Sequence, residues 1–260
     1  MEVVIVADAD AAARLVASAI ARLVRGKPDA VLGLATGSSP LPVYAELARL
    51  VAAEGLSLRR CRAFLLDEYV GLPPGHPQSY RAVIEREVLA RLDIPPSSVY
   101  GPNGNAADLT AECADYEATI RRCGGVDLQL LGIGADGHIG FNEPCSSLGS
   151  RTRVKTLTAQ TRADNARFFD SPDDVPPHVL TQGVATILEA RHAILLATGT
   201  GKAAAVALAV EGPLSSFVPA SALQQHPHAT VVVDEAAAGR LQLADYFCET
   251  FAGKPAWQSI

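Results

Sequence analysis

Residues 126–144 run Val126-Asp127-Leu128-Gln129-Leu130-Leu131, then Gly132-Ile133-Gly134-Ala135-Asp136-Gly137-His138, then Ile139-Gly140-Phe141-Asn142-Glu143-Pro144. The first part is a short, nearly continuous apolar run, the pattern of a strand buried on both faces. The second is a glycine-rich turn that carries ionisable side chains. Such a strand and turn are the unit of an α/β fold, in which ligands gather beyond the carboxyl ends of parallel strands. The same unit recurs on either side. Strands are expected at 3–6, 30–34, 62–66, 193–197 and 229–233, and helices at 9–24, 41–53, 79–91, 107–122, 202–210 and 236–247. The expected architecture is α/β, a Rossmann-like open and mostly parallel sheet with helices on both faces. The proline-containing loops at 71–77 and 171–178 are too short to link domains, so residues 1–260 read as a single domain.

Hydrophobic residues make up 48% and charged residues 19%, a globular and not a disordered composition. The net charge of −6 argues against a nucleic-acid surface, which needs clustered Lys and Arg. It leaves room for a phosphate held by a few local cations. Five cysteines without CxxC spacing fit free thiols in a reducing compartment. Acids follow the first apolar run at once, so the N-terminus reads as a strand and not a signal peptide. No apolar stretch has uninterrupted membrane-spanning length; the longest, near 193–210, contains Gly199, Gly201 and Lys202. The expectation is a cytoplasmic protein with no membrane or nucleic-acid partner.

The chemistry-bearing residues stand at strand ends. After 30–34 come Thr36, Gly37, Ser38 and Ser39, small residues ahead of a helix. They suit either a phosphate loop or an ordinary Ser-capped helix start. After 62–66 come Asp67 and Glu68, an acid there being a helix cap or a base facing the crevice. After 193–197 come Gly201 and Lys202. Leu196 and Ala203 stand where a nucleotide P-loop needs Gly and Ser/Thr, so Lys202 reads as a phosphate-binding or merely solvated lysine. Gly132 to Gly137 match GxGxxG, yet the chain runs on through more glycines to Pro144 with no long helix, and no acid lies between Glu143 and Asp164. The segment reads better as a catalytic loop, in which Asp136 and Glu143 flank His138 and tune its imidazole. With no HExxH and no second nearby His, no metal site is expected there; His226-Pro227-His228 reads as a loop.

These motifs resemble the glucosamine-6-phosphate deaminases over nearly the whole chain. The stretches that carry the likeness are LGLATGSSP, LLDEYVGL, QSYRAVIEREV, GNAADLTAECADYEATI, LLGIGADGHIGFNEPCSSLGSRTRVKTLT, TRADNARFF, ATGTGKA and LQQHP. The resemblance implies the α/β fold and conversion of glucosamine 6-phosphate to fructose 6-phosphate and ammonia, with no metal or organic cofactor. It implies that Asp67 moves a proton between C2 and C1 and that His138 opens the sugar ring, with Asp136 and Glu143 holding the imidazole. Thr36, Gly37, Ser38, Ser39, Arg167 and Lys202 match the phosphate site. Ser146, Ser147, Arg153 and Lys155, with Tyr246 by a looser match, correspond to an allosteric site for N-acetylglucosamine 6-phosphate at a subunit interface. A homo-oligomer, up to a hexamer, is expected on that basis.

The sister family, the 6-phosphogluconolactonases, shares the Gly-Asp-Gly-His core. It typically has Arg after Asp-Glu and lacks the Asn-Glu pair, so Tyr69, Asn142 and Glu143 favour the deaminase. A deaminase or isomerase for the galactosamine epimer stays open, since selectivity at C4 rests on pocket hydrogen bonds. A sugar-phosphate sensor is disfavoured because no helix-turn-helix segment is found. The stretch 217–222 and the C-terminal tail depart from the family pattern.

Overall fold

The computed structural model describes residues 1–169, 171–255 and 257–260. The chain opens with β1 (Glu2–Val6) and α1 (Ala9–Gly26). Asp8 caps α1 by accepting from Ala11 N at 2.7 Å, and Ala12, Val16, Ile20 and Val24 form its buried stripe at helical spacing. β2 (Val31–Leu34), α2 (Leu41–Glu54), β3 (Arg62–Leu65) and β4 (Asp67–Tyr69) follow. α3 (Tyr80–Ile84) runs on into a π turn at Glu85–Leu89, where the sequence suggested one continuous helix. Next come β5 (Val99–Tyr100), α4 (Leu109–Arg122), β6 (Leu128–Leu131), β7 (Arg153–Thr156), α5 (Ala159–Asn165) and β8 (His178–Thr181). The chain ends with α6 (Val184–Leu188), β9 (His192–Ala197), α7 (Ala203–Val210), β10 (Ala229–Asp234), α8 (Glu235–Ala238) and α9 (Ala244–Ala252). The single helix expected at 236–247 is two pieces, because α8 stops at Gly239, a poor helix former.

Seven strands form one sheet in the order β1-β10-β9-β6-β2-β3-β5, and every pairing is parallel. Both faces are covered. Along β3, Ala63 and Leu65 join the large core with α1 and α2, while Phe64 points the other way, to Tyr116 and Ile120 of α4. That alternation explains why the strands read as continuous apolar runs. Succession through β2, β3 and β5 steps toward one edge, and succession through β6, β9 and β10 steps toward the other. The order reverses between β2 and β6, where open α/β sheets leave a crevice. These strands pack closely: a Cβ on Gly33 of β2 would collide with the Gln129 side chain of β6.

A second sheet, not expected from sequence, has the antiparallel order β4-β8-β7. It buries Tyr69, Phe141, Leu157, Val175 and Val179 in a small core of its own. Its strands are three or four residues long, and Arg153-Val154-Lys155-Thr156 is largely polar, so hydrophobic patterning does not reveal them. Among the described residues no helix is long and apolar enough to cross a membrane.

Candidate active site

β9, β6, β2 and β3 are consecutive neighbours, so the loops that leave their carboxyl ends stand side by side. In the loop after β2, Gly37 has φ 102°, a left-handed conformation that favours glycine. Ser38 is exposed and Thr36 and Ser39 half-buried. The helix cap of α2 is Pro40, not a serine, and no side chain caps the helix. The first N–H groups of this long helix therefore stay open beside the two serine hydroxyls, a ready anion site. Across β6, Gly199 donates to both Asp234 carboxylate oxygens at 3.0 Å and turns the chain at φ 86° into the short helical turn Thr200–Lys202. Lys202, half-buried, stands at the start of α7. The two candidate phosphate elements thus flank the β6 loop.

That loop is folded around His138. Gly134 N donates to His138 O at 2.9 Å, and a Cβ on Gly134 would collide with the His138 ring and the Asp136 carboxylate. Asp136 Oδ1 lies 2.7 Å from His138 Nδ1 and accepts His138 N at 3.2 Å. The imidazole beside it holds the Asp136 carboxyl below its usual range. The His138 ring is partly open to solvent and stacks on Phe141 at 6.5 Å. The glycines of the GxGxxG match serve this turn, and no long helix follows them.

Asn142 and Thr181 stitch the loop to the second sheet. Asn142 is fully buried; its Nδ2 donates to Ile139 O at 2.9 Å and Gln182 O at 2.8 Å, and its Oδ1 accepts from Arg153 at 2.8 Å. Phe141 N donates to Thr181 Oγ1 at 3.1 Å. Thr181 is the register partner of Asp67, the first residue of β4. A Cβ on Gly140 would lie 3.0 Å from Thr181 Oγ1 and 3.8 Å from Asp67 Oδ2. Asp67 therefore caps no helix; its carboxyl lies against the loop that carries His138. Burial, with Glu68 beside it, pushes the Asp67 carboxyl well above its usual range. Among the described residues that carboxyl takes no hydrogen bond. Glu68 has the structural role: it accepts from Tyr69 N, Tyr80 N and Arg81 N at 2.8–2.9 Å.

Other candidates lie elsewhere. Glu143 does not reach His138. It is buried and accepts from the Thr161 and Thr158 hydroxyls, because Thr158 caps α5 directly above it. Arg167 is exposed on the short turn Ala166–Phe168, its guanidinium 4.7 Å from the Phe168 ring, and no ion pair or hydrogen bond joins it to the strand-end loops among the described residues. Ser146 is buried, and Ser147 sits in an exposed turn where it accepts from Gly149 N at 3.3 Å. Arg153 and Lys155 are alternate residues of β7. Tyr246 lies apart from them: it is 58% exposed on α9, which packs against the edge strand β1. Sequence reasoning missed Thr181 and the Tyr69 hydroxyl, which accepts from Asn165 Nδ2 at 3.0 Å. Thr181 carries no motif of its own, and LLDEYVGL marks Tyr69 without giving its hydroxyl a role. A cavity of about 640 Å³ beyond β5, lined by Glu68, Tyr69, Leu72, Tyr100 and Asn103 among others, contains none of Asp67, Asp136, His138 and Lys202.

The sequence model of the family described as glucosamine-6-phosphate isomerases/6-phosphogluconolactonase matches residues 6–233. A glucosamine-6-phosphate deaminase of Streptomyces coelicolor is 64% identical over 261 residues, covering 100% of both chains. One of Mycolicibacterium smegmatis is 60% identical over 261 residues, again covering 100% of both. A solved structure described as a monomeric glucosamine-6-phosphate deaminase superposes with a TM-score of 0.90 at 45% identity, covering 92% of this chain and 100% of that one. A 6-phosphogluconolactonase from Trypanosoma cruzi has a TM-score of 0.72 at 21% identity, covering 93% and 97%, a likeness of fold alone.

Proposed function

The chain belongs to the family of glucosamine-6-phosphate isomerases and 6-phosphogluconolactonases, and we infer that within it the chain catalyses the isomerisation and deamination of glucosamine 6-phosphate. Water is consumed, and fructose 6-phosphate and ammonia are released. The observation that carries this reading is the approach of the Asp67 carboxyl to the loop that carries His138, one strand from the place where the strand order reverses.

The geometry and the family resemblance together support the following steps. The phosphate sits on the open N–H groups and hydroxyls after β2, with Lys202 across β6 as a point charge. This lays the sugar over the β6 loop. Asp136 engages the Nδ1 side of His138, which leaves Nε2 to move a proton at the ring oxygen and open the pyranose. Asp67 then takes the C2 proton and returns it at C1. A carboxyl whose proton affinity is raised by burial holds that proton between the two carbons. The resulting C2 imine adds water and expels ammonia. Glu143 takes part by fixing Thr158 and Thr161, and so the start of the helix that leads to Arg167. Arg167 joins the phosphate by turning off Phe168.

The reading treats residues 1–260 as one domain acting in the cytoplasm. It keeps a homo-oligomer, up to a hexamer, as a proposal, against which stands the solved relative described as monomeric. It also keeps activation by N-acetylglucosamine 6-phosphate through Ser146, Ser147, Arg153 and Lys155. In its favour, Arg153 donates straight to Asn142, which holds the catalytic loop. The exposed place of Tyr246 gives it no part in that contact.

The test is ammonia release from glucosamine 6-phosphate beside its galacto epimer, with and without the N-acetylated sugar, together with light scattering for the assembly state. Ammonia from the gluco epimer is expected. Hydrolysis of 6-phosphogluconolactone with no ammonia from either epimer would overturn the assignment.

A further inference from the structure

We propose that Tyr44 is the positioning residue of the phosphate loop, holding both ends of residues 36–39 in the shape that receives the anion. The inference rests on the phosphate reading of that loop. Tyr44 lies in the first turn of α2 and is 2% exposed. Its backbone N donates to Pro40 O at 3.2 Å, which closes the far end of the loop. Its hydroxyl accepts from Ala35 N at 3.1 Å and donates to Ala35 O at 2.8 Å, which closes the near end. Both contacts come from a single side chain and its own main chain.

Ala35 needs this partner. It is 2% exposed and lies one residue past the last β2–β3 pair, Leu34 with Leu65, so the sheet ladder no longer satisfies its N–H and C=O. Buried main-chain groups without partners are costly, and the phenol supplies a donor and an acceptor at once. Burial raises the phenol pKa, so the hydroxyl keeps its proton and stays a donor as well as an acceptor.

The loop between these pins has little else to shape it. Gly37 sits at φ 102°, no side chain caps α2, and neither serine hydroxyl bonds within the chain among the described residues. An anion site built from such groups gains affinity when its geometry is fixed before binding. Tyr44 does that without touching the ligand.

The test is Tyr44→Phe, which keeps the buried ring and removes only the hydroxyl. The KM for glucosamine 6-phosphate and the inhibition constant of inorganic phosphate should both rise about tenfold, while kcat stays within about twofold. A purely structural role would lower the melting temperature and leave both constants unmoved. Unchanged constants, or a fall in kcat alone, overturn the proposal. A second measurement needs no variant. In the unsubstituted protein the Ala35 amide should exchange as slowly as those of the central strands, and rapid exchange would show that the hydroxyl does not hold it. The two readings fail differently. An unsubstituted enzyme that releases no ammonia removes the functional assignment, whereas an active enzyme indifferent to Tyr44→Phe removes this proposal alone.

Discussion

Replacing Asp67 by asparagine should abolish turnover and stabilise the protein in one step. The Asp67 carboxyl is 6% exposed, takes no hydrogen bond among the described residues, and has Glu68 next to it. Its raised pKa means that the folded chain holds the proton more tightly than the unfolded chain does. Its contribution thus favours folding below about pH 4 and is lost as the pH rises through the raised value. At a pH above both values the desolvated carboxylate therefore costs the folded state stability. In a chain of this size 1 kcal/mol moves Tm by about 2–4 °C. Relieving that cost should let Asp67→Asn melt a few degrees higher at pH 8, with the gain vanishing near pH 4. Turnover should fall about 10²–10⁴-fold, the usual worth of a proton-transfer group, because the amide cannot carry the C2 proton. Inhibition by inorganic phosphate should not change, since the amide keeps the shape of the carboxyl and the phosphate elements follow β2 and β9, not β3. The assays are ammonia release and thermal melts from pH 4 to pH 8. Wild-type turnover in the variant would remove Asp67 from the mechanism, and a lower Tm at pH 8 would refute the desolvation argument.

Gly134→Ala should push the His138 ring from its seat and lower kcat at least tenfold with phosphate inhibition unaltered, read by steady-state kinetics. Asn142→Asp leaves the Ile139 and Gln182 carbonyls without donors and sets a carboxylate against them. Urea unfolding should show a loss of about 2–4 kcal/mol, and an unchanged midpoint would deny the stitching role. Arg167→Ala should raise KM with kcat nearly constant; an unaltered KM would leave the exposed arginine outside the phosphate site.

The parallel sheet was legible because strands buried on both faces announce themselves as apolar runs, and because glycines and small residues crowd their carboxyl ends. Thr36, Asp67, Asp136 and Lys202 could be placed on one rim from that alone. The small antiparallel sheet was not legible, since Asp67-Glu68-Tyr69 is too short and too polar to register as a strand. That gap left Asp67 undecided between cap and base; the cap of α3 is Ser79, and it is Glu68 that accepts the helix's first N–H groups. The pairing of acids with His138 was half legible. Asp136 is two residues away and local geometry suffices, whereas the direction of Glu143 depends on Thr158 and Thr161, which sequence spacing does not bring near. Tyr44 carried no signal at all, because a buried aromatic residue on an amphipathic helix reads as core.

The strand order has a consequence for how activity arises. The groups on the rim come from chain positions near 36, 67, 138 and 202, each delivered by a different strand, and β6 enters the sheet between β2 and β9 only after β2, β3 and β5 precede it in the chain. No contiguous stretch carries even half of the constellation in working order. A partly folded chain is chemically silent, and competence emerges only when the central strand slots home.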